Sequence, residues 1–211
     1  MTIEIKSMTL GMVSTNAYLV GDTQTKEAIL IDPVDKAKQI KALADDLGWA
    51  IKLILATHAH FDHVLASKDL KALTGAPFWI HERATPLLEN LPMQGRLFGL
   101  GEFSPAAEPD HLIKHESETI TLSAITLEPL YTPGHAEGHL SFYMREQSVL
   151  FSGDTLFFNS IGRTDLPGGD HQLLLRSIRE KLLILPDETI VLPGHMQQTT
   201  IGFERQNNPF L

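Results

Sequence analysis

At 211 residues with 43% hydrophobic content, the chain is long enough to bury a sizeable core and fits a single domain over residues 1–211. Zero cysteines exclude disulfides, thiolate metal ligands and a cysteine nucleophile, so any metal would have to be held by imidazole and carboxylate. A formal charge of −9 argues against a nucleic-acid partner, and no apolar run approaches the roughly 18 residues that a membrane span requires.

The N-terminal stretch "MTIEIKSMTLGMV" has neither the basic nor the apolar region of a secretory signal, so the expected address is the cytoplasm. "IEIKSMTL", "NAYLVGD" and "EAILIDP" alternate like strands of an antiparallel meander, with Gly21-Asp22 read as a turn between two of them. Asp35 is placed to cap a helix over 36–48, in which Ala37, Ile40, Ala44 and Leu47 share a face and Gly48 marks the stop. "IKLILAT" reads as a buried strand ending at Thr57, so the residues after it occupy the loop at a strand's carboxyl end, where layered α/β proteins place functional groups. "LASKDLKALTG" and "APFWI" predict a further helix and strand, and the Pro- and Gly-rich stretch 86–110 is expected to be irregular. In the second half "ITLEPLYT", "HLSFYMRE", "SVLFSGD" and "ETIVLPGH" read as strands, with a helix over 171–185 capped by Asp170.

The loop after Thr57 carries the chemistry. "ATHAHFDHV" sets His58, His60, Asp62 and His63 within six consecutive positions. Side chains two apart on an extended segment point the same way, so His58 and His60 can reach one ion, unlike the i, i+4 pair of a helical zinc motif. Four donors exceed what one catalytic zinc takes from a single loop, since it keeps three protein ligands and an open position, which raises the question of a second ion. Further donors end other predicted strands, each preceded by a glycine: His135 in "YTPGHAEGH", Asp154 in "FSGDTLF" and His195 in "VLPGH". Asp154 could bridge two metals. Asp32 and His139 suit the bracing of a neighbouring ligand, whereas His81, His111, His115 and His171 read as surface or capping residues.

In order, "THAHFDH", "TPGH", "SGDTLF" and "LPGH" resemble the metallo-β-lactamase superfamily, in particular its glyoxalase II-like hydrolases, over nearly the whole chain. The resemblance implies an α/β, four-layer αββα sandwich. It also implies His58, His60 and His135 on one metal, Asp62, His63 and His195 on the other, and Asp154 shared. Two divalent ions per chain would be zinc first, with iron or manganese as alternatives. "IGRTDLPGGD" and "GFERQNNPFL" are similar to the short bacterial type II glyoxalases. The longer glyoxalase II enzymes continue into a helical domain that helps to bind glutathione, whereas 16 residues follow His195 here. Glutathione recognition would then fall to loops such as 156–170, where Arg163 matches a basic residue near the tripeptide. Val34, Ala136 and Glu137 depart from the family's usual residues without touching a ligand position.

The implied activity is hydrolysis of S-lactoylglutathione or a related small-molecule thioester by a metal-bridging hydroxide, with Asp62 orienting that nucleophile or taking its proton. The rival reading is a persulfide dioxygenase, which shares the HxHxDH motif but uses one iron, here on a His58, His135 and Asp154 triad. A metal-binding protein without turnover is the third.

Overall fold

The structure, a computed structural model, describes residues 2–211. They divide into two compact units: residues up to Ile113 together with Thr121–Ile125, and Lys114–Ile120 together with Thr126–Leu211.

The first unit is built on a six-stranded sheet with its strands in sequence order: β1 (Ile3–Leu10), β2 (Thr15–Asp22), β3 (Glu27–Ile31), β4 (Ala50–Leu55), β5 (Phe78–His81) and β6 (His111–Ile113). The first three form the expected antiparallel meander, and β3 to β6 run parallel. Parallel neighbours need crossovers, which α1 (Ala37–Asp46) supplies between β3 and β4, and α3 (Ser67–Thr74) between β4 and β5. Ala17, Leu19, Ala28, Leu30 and Ile54 of the sheet share a core with Ile40, Ala44 and Leu70 of these helices. Alternate residues, among them Val20, Ile29, Ile31 and Leu55, are also fully or almost fully buried, so the strands read as near-continuous apolar runs.

Three sequence expectations need correction in this unit. Gly21 and Asp22 lie within β2 and the turn follows them; Gly21 is a glycine because a Cβ there would stand 2.5 Å from the Trp49 indole. Asp35 spends its carboxylate on the adjacent Lys36 N–H at 2.6 Å, and the cap position falls to Lys36, which has no side-chain cap bond. The stretch from 86 is not wholly irregular: α4 (Thr85–Glu89) and α5 (Leu91–Leu97) take their prolines in the first turn, where the missing N–H costs nothing. Gly48, at φ +68°, does end α1.

The second sheet has the order β14-β13-β10-β9-β8-β7, formed by Thr199–Thr200, Ile190–Pro193, Val149–Gly153, Leu140–Met144, Ile125–Tyr131 and Ile120–Leu122. A hairpin of β11 (Leu156–Phe157) and β12 (Ser160–Ile161) follows β10. The helix α6 (His171–Ser177) is capped by Asp170, whose Oδ1 accepts the Leu173 N–H at 3.0 Å. The continuous helix expected to 185 instead widens into a π turn over Ile178–Leu182, closed by the Leu183 N–H on the Ile178 carbonyl. An apolar period of four could not distinguish the two, because Leu174, Ile178 and Leu182 are buried with Leu150 and Val191 either way. Closing the chain, α7 (Ile201–Asn207) anchors itself through Glu204, buried and accepting from Thr199 Oγ1, Asn208 Nδ2 and the Asn159 N–H.

Candidate metal centre

Because β3 and β4 are parallel neighbours, their carboxyl ends lie side by side, one leading to Asp32 and the other to the histidine loop. Asp32 sits at φ +58°, a left-handed conformation that Asp tolerates better than most residues. Its buried carboxylate accepts from the Thr57 N–H (2.7 Å), Thr57 Oγ1 (3.0 Å) and His63 Nδ1 (2.8 Å). These bonds fix protons. A carboxylate only accepts, so His63 carries a hydrogen on Nδ1, and as a neutral ring it presents the Nε2 lone pair toward Asp62 Oδ2 at 3.4 Å. The single Thr57 hydroxyl hydrogen goes to Asp32, so His58 Nδ1, 3.0 Å from that oxygen, is a donor as well. His58 then turns Nε2 toward His60 Nδ1 at 3.0 Å, the rings perpendicular.

The expected extended pair His58 and His60 is therefore present. Asp62 and His63 lie on a one-turn helix, α2 (Phe61–Val64), that opens directly after His60. Thr15, entering β2, donates to Asp62 Oδ2 at 2.7 Å.

In the second unit the same logic recurs. His135 Nδ1 is 2.7 Å from the Arg163 carbonyl, which can only accept, so its Nε2 lone pair faces Asp154 Oδ2 at 3.5 Å. His195 Nε2 stands 3.4 Å from the same oxygen. Gly134 precedes His135 at φ +128°, where a Cβ would lie 2.2 Å from the Leu174 backbone of α6. Gly162 passes so close that a Cβ would meet the Asp154 carbonyl at 1.9 Å. His139 braces Asp154 through the backbone: Nε2 accepts the Asp154 N–H at 3.0 Å, which puts its own hydrogen on Nδ1, toward Thr132 Oγ1.

The donor set fits divalent cations. Separations of 3.4 to 3.5 Å are too long for charge-assisted hydrogen bonds, while two ligands held about 2.0–2.1 Å from one tetrahedral ion stand about 3.3 Å apart. The outward ring nitrogens of His63 and His135 are meanwhile tied to a carboxylate and a carbonyl, the arrangement that orients metal-bound imidazole. Imidazole and carboxylate donors in these positions can hold metal. His58, His63, His135 and Asp154 are buried, and His195 is the most open of the set with 22% of its side chain exposed.

Arg163 reaches this region by its carbonyl rather than by charge. Its guanidinium is exposed and forms a two-pronged pair with Asp165 (2.7 and 2.6 Å), which holds the Asp165 carboxyl down at about 2. His81, expected at the surface or in a cap, caps a short 3-10 turn through Nδ1 but is buried, which pushes its pKa down. Sequence reasoning overlooked Thr15, Thr57, Gln94 and Gly162.

A sequence profile of the metallo-beta-lactamase superfamily matches residues 10–195, and the chain belongs to that superfamily. It is 41% identical to a Haemophilus influenzae protein named hydroxyacylglutathione hydrolase GloC, covering 100% of this chain and 98% of the relative. Among solved structures, the B3 metallo-beta-lactamase BLEG-1 superposes with a TM-score of 0.91 at 40% identity, covering 98% of this chain and 99% of the other. TTHA1623, solved in a di-iron-bound form, superposes with a TM-score of 0.88 at 39% identity over 98% and 100%. The fold class is thus α/β with the metallo-β-lactamase fold, and the chain is a metallohydrolase of that superfamily.

Proposed function

We propose that the two donor sets converge on a pair of divalent cations within one domain, and that the protein hydrolyses an acyl thioester, hydroxyacylglutathione first among them. His58, His60 and His135 would hold one ion, Asp62, His63 and His195 the other, with Asp154 shared. Zinc is the proposed metal; iron and manganese suit the same donors, and the relative TTHA1623 was solved with iron. The observation that carries the reading is the ring orientation: buried imidazoles whose Nδ1 hydrogens are fixed by Asp32, Thr57 and the Arg163 carbonyl, so that each Nε2 presents a lone pair. The thioester substrate is supported by the relative named hydroxyacylglutathione hydrolase.

Such ions, when bound, acidify a water and polarise a carbonyl. The chain's own residues supply the rest. Asp62, whose Oδ2 accepts from the Thr15 hydroxyl, would align the attacking water or take its proton. Arg163 would attract a substrate carboxylate once that carboxylate displaces Asp165. No general acid is needed for the leaving group, because a thiol with an ordinary pKa of about 8.5 departs readily as thiolate.

The test is anaerobic incubation of the metal-loaded protein with S-lactoylglutathione. Thiol release without oxygen is expected. Oxygen consumption with glutathione persulfide and one iron per chain would instead assign a dioxygenase, and turnover of a β-lactam alone would move the substrate class. Full metal occupancy without any turnover would leave a binding protein.

A further inference from the structure

We infer that Gln94 is a positioning residue for the histidine loop, setting the peptide planes on either side of His60. Gln94 lies on α5, far from the loop in sequence, and is only 5% exposed. Its side-chain amide is spent entirely on backbone. Oε1 accepts the Phe61 N–H at 2.8 Å, and Nε2 donates to the Ala59 and Leu87 carbonyls, both at 2.9 Å. Ala59 and Phe61 are the two neighbours of His60, so one amide grips the peptides before and after a proposed ligand.

A ligand loop needs this kind of grip. Buried loop N–H and C=O groups have no ladder partners, and each must find one or carry a desolvation penalty. Here a single amide satisfies one donor and one acceptor, and its third bond to Leu87 ties them to α4. The His60 ring is then held by fixed backbone, and its Nδ1 stays 3.0 Å from His58 Nε2. Only an amide of this length both donates and accepts here. Met fills the space without either function, and Glu keeps the acceptor toward Phe61. Outer partners of metal-binding imidazoles typically change metal affinity by about 10–100-fold, and Gln94 acts one step further out, on the backbone that carries the ring.

The inference rests on the proposed ligand role of His58 and His60. Gln94→Met, Gln94→Glu and Leu88→Ala would be prepared in the full chain; Leu88 is a buried core residue of α4 whose side chain carries no hydrogen-bonding group, and it serves as the control for lost packing stability. Zinc affinity is measured by chelator competition, the ligand field by the visible spectrum of the cobalt(II)-loaded protein, and stability by melting of the metal-free protein. Gln94→Met should weaken zinc binding by about tenfold, the lower end of that range, and alter the cobalt spectrum, with Gln94→Glu in between, while Leu88→Ala lowers the melting temperature with affinity and spectrum unchanged. Should Gln94→Met not fold, Gln94→Glu carries the same comparison. Gln94 variants that melt early yet bind zinc within twofold of the unaltered protein, with the same cobalt spectrum, would overturn the inference. An unaltered protein that binds no metal would instead sink the proposed function on which it rests.

Discussion

Replacing Asp32 by Asn separates charge from shape at the residue that holds His63. The substitution keeps size, and Asn accepts the left-handed backbone at φ +58°, so little strain is introduced. What changes is the atom facing two donors. Oδ1 can still take the Thr57 N–H, but an NH2 now stands where Oδ2 accepted from Thr57 Oγ1 at 3.0 Å and His63 Nδ1 at 2.8 Å. Either those bonds are lost or His63 moves its hydrogen to Nε2, the nitrogen proposed to face a cation. Lost orientation of this kind costs about 10–100-fold in metal affinity, or roughly 1.4–2.7 kcal/mol. Two bonds to a buried carboxylate, at about 1.5–3 kcal/mol each, place the accompanying loss of folding stability at about 3–6 kcal/mol. Chelator competition with zinc should show the ion on His63 weakened by that factor, and the ion on His58 weakened as well because the Thr57 hydroxyl loses the acceptor that fixed its hydrogen; urea unfolding of the metal-free protein gives the stability. Zinc affinity within twofold of the unaltered protein at both ions would refute the tautomer reasoning.

Gly162→Ala should be among the most damaging small substitutions, because its Cβ would meet the Asp154 carbonyl at 1.9 Å and His135 Nδ1 at 3.2 Å; a metal content below one ion per chain, measured by elemental analysis, is the expected outcome. Arg163→Ala should raise KM for an anionic thioester while leaving kcat nearly unchanged, since the carbonyl that holds His135 remains; steady-state kinetics check this. The Arg163 pairing holds Asp165 at about 2, so that contact is fully present above the ordinary carboxylate value of 3.8 and is lost as pH falls through about 2. In Arg163→Ala the Asp165 carboxyl carbon, followed by NMR, should titrate back toward 3.8, and high salt should shift it in the same direction in the unaltered chain.

The donors were legible because they announce themselves by spacing or context. His58, His60, Asp62 and His63 stand within one loop, and His135, Asp154 and His195 each follow a glycine at a strand's end. Strands were legible for a similar reason: period-two or continuous apolar runs survive as β1 to β5 and β8 to β10 with ends shifted by a residue or two. What braces the donors left no such mark. Thr15 and Gln94 are ordinary residues whose roles depend on long-range contacts to Asp62 and to the peptides around His60. Gly21 reads as a turn because nothing in its neighbourhood reveals the Trp49 ring lying over it. Arg163 could be placed in its loop, but not its pairing with Asp165 two residues on, since both side chains are exposed and the choice is made by loop conformation.

Anomalous diffraction from crystals of the zinc-loaded protein addresses the shared-ion arrangement directly. Two zinc peaks are expected, one on His58, His60 and His135, the other on Asp62, His63 and His195, with Asp154 reaching both. A single peak at full loading, or two peaks elsewhere with these seven side chains apart, would contradict it.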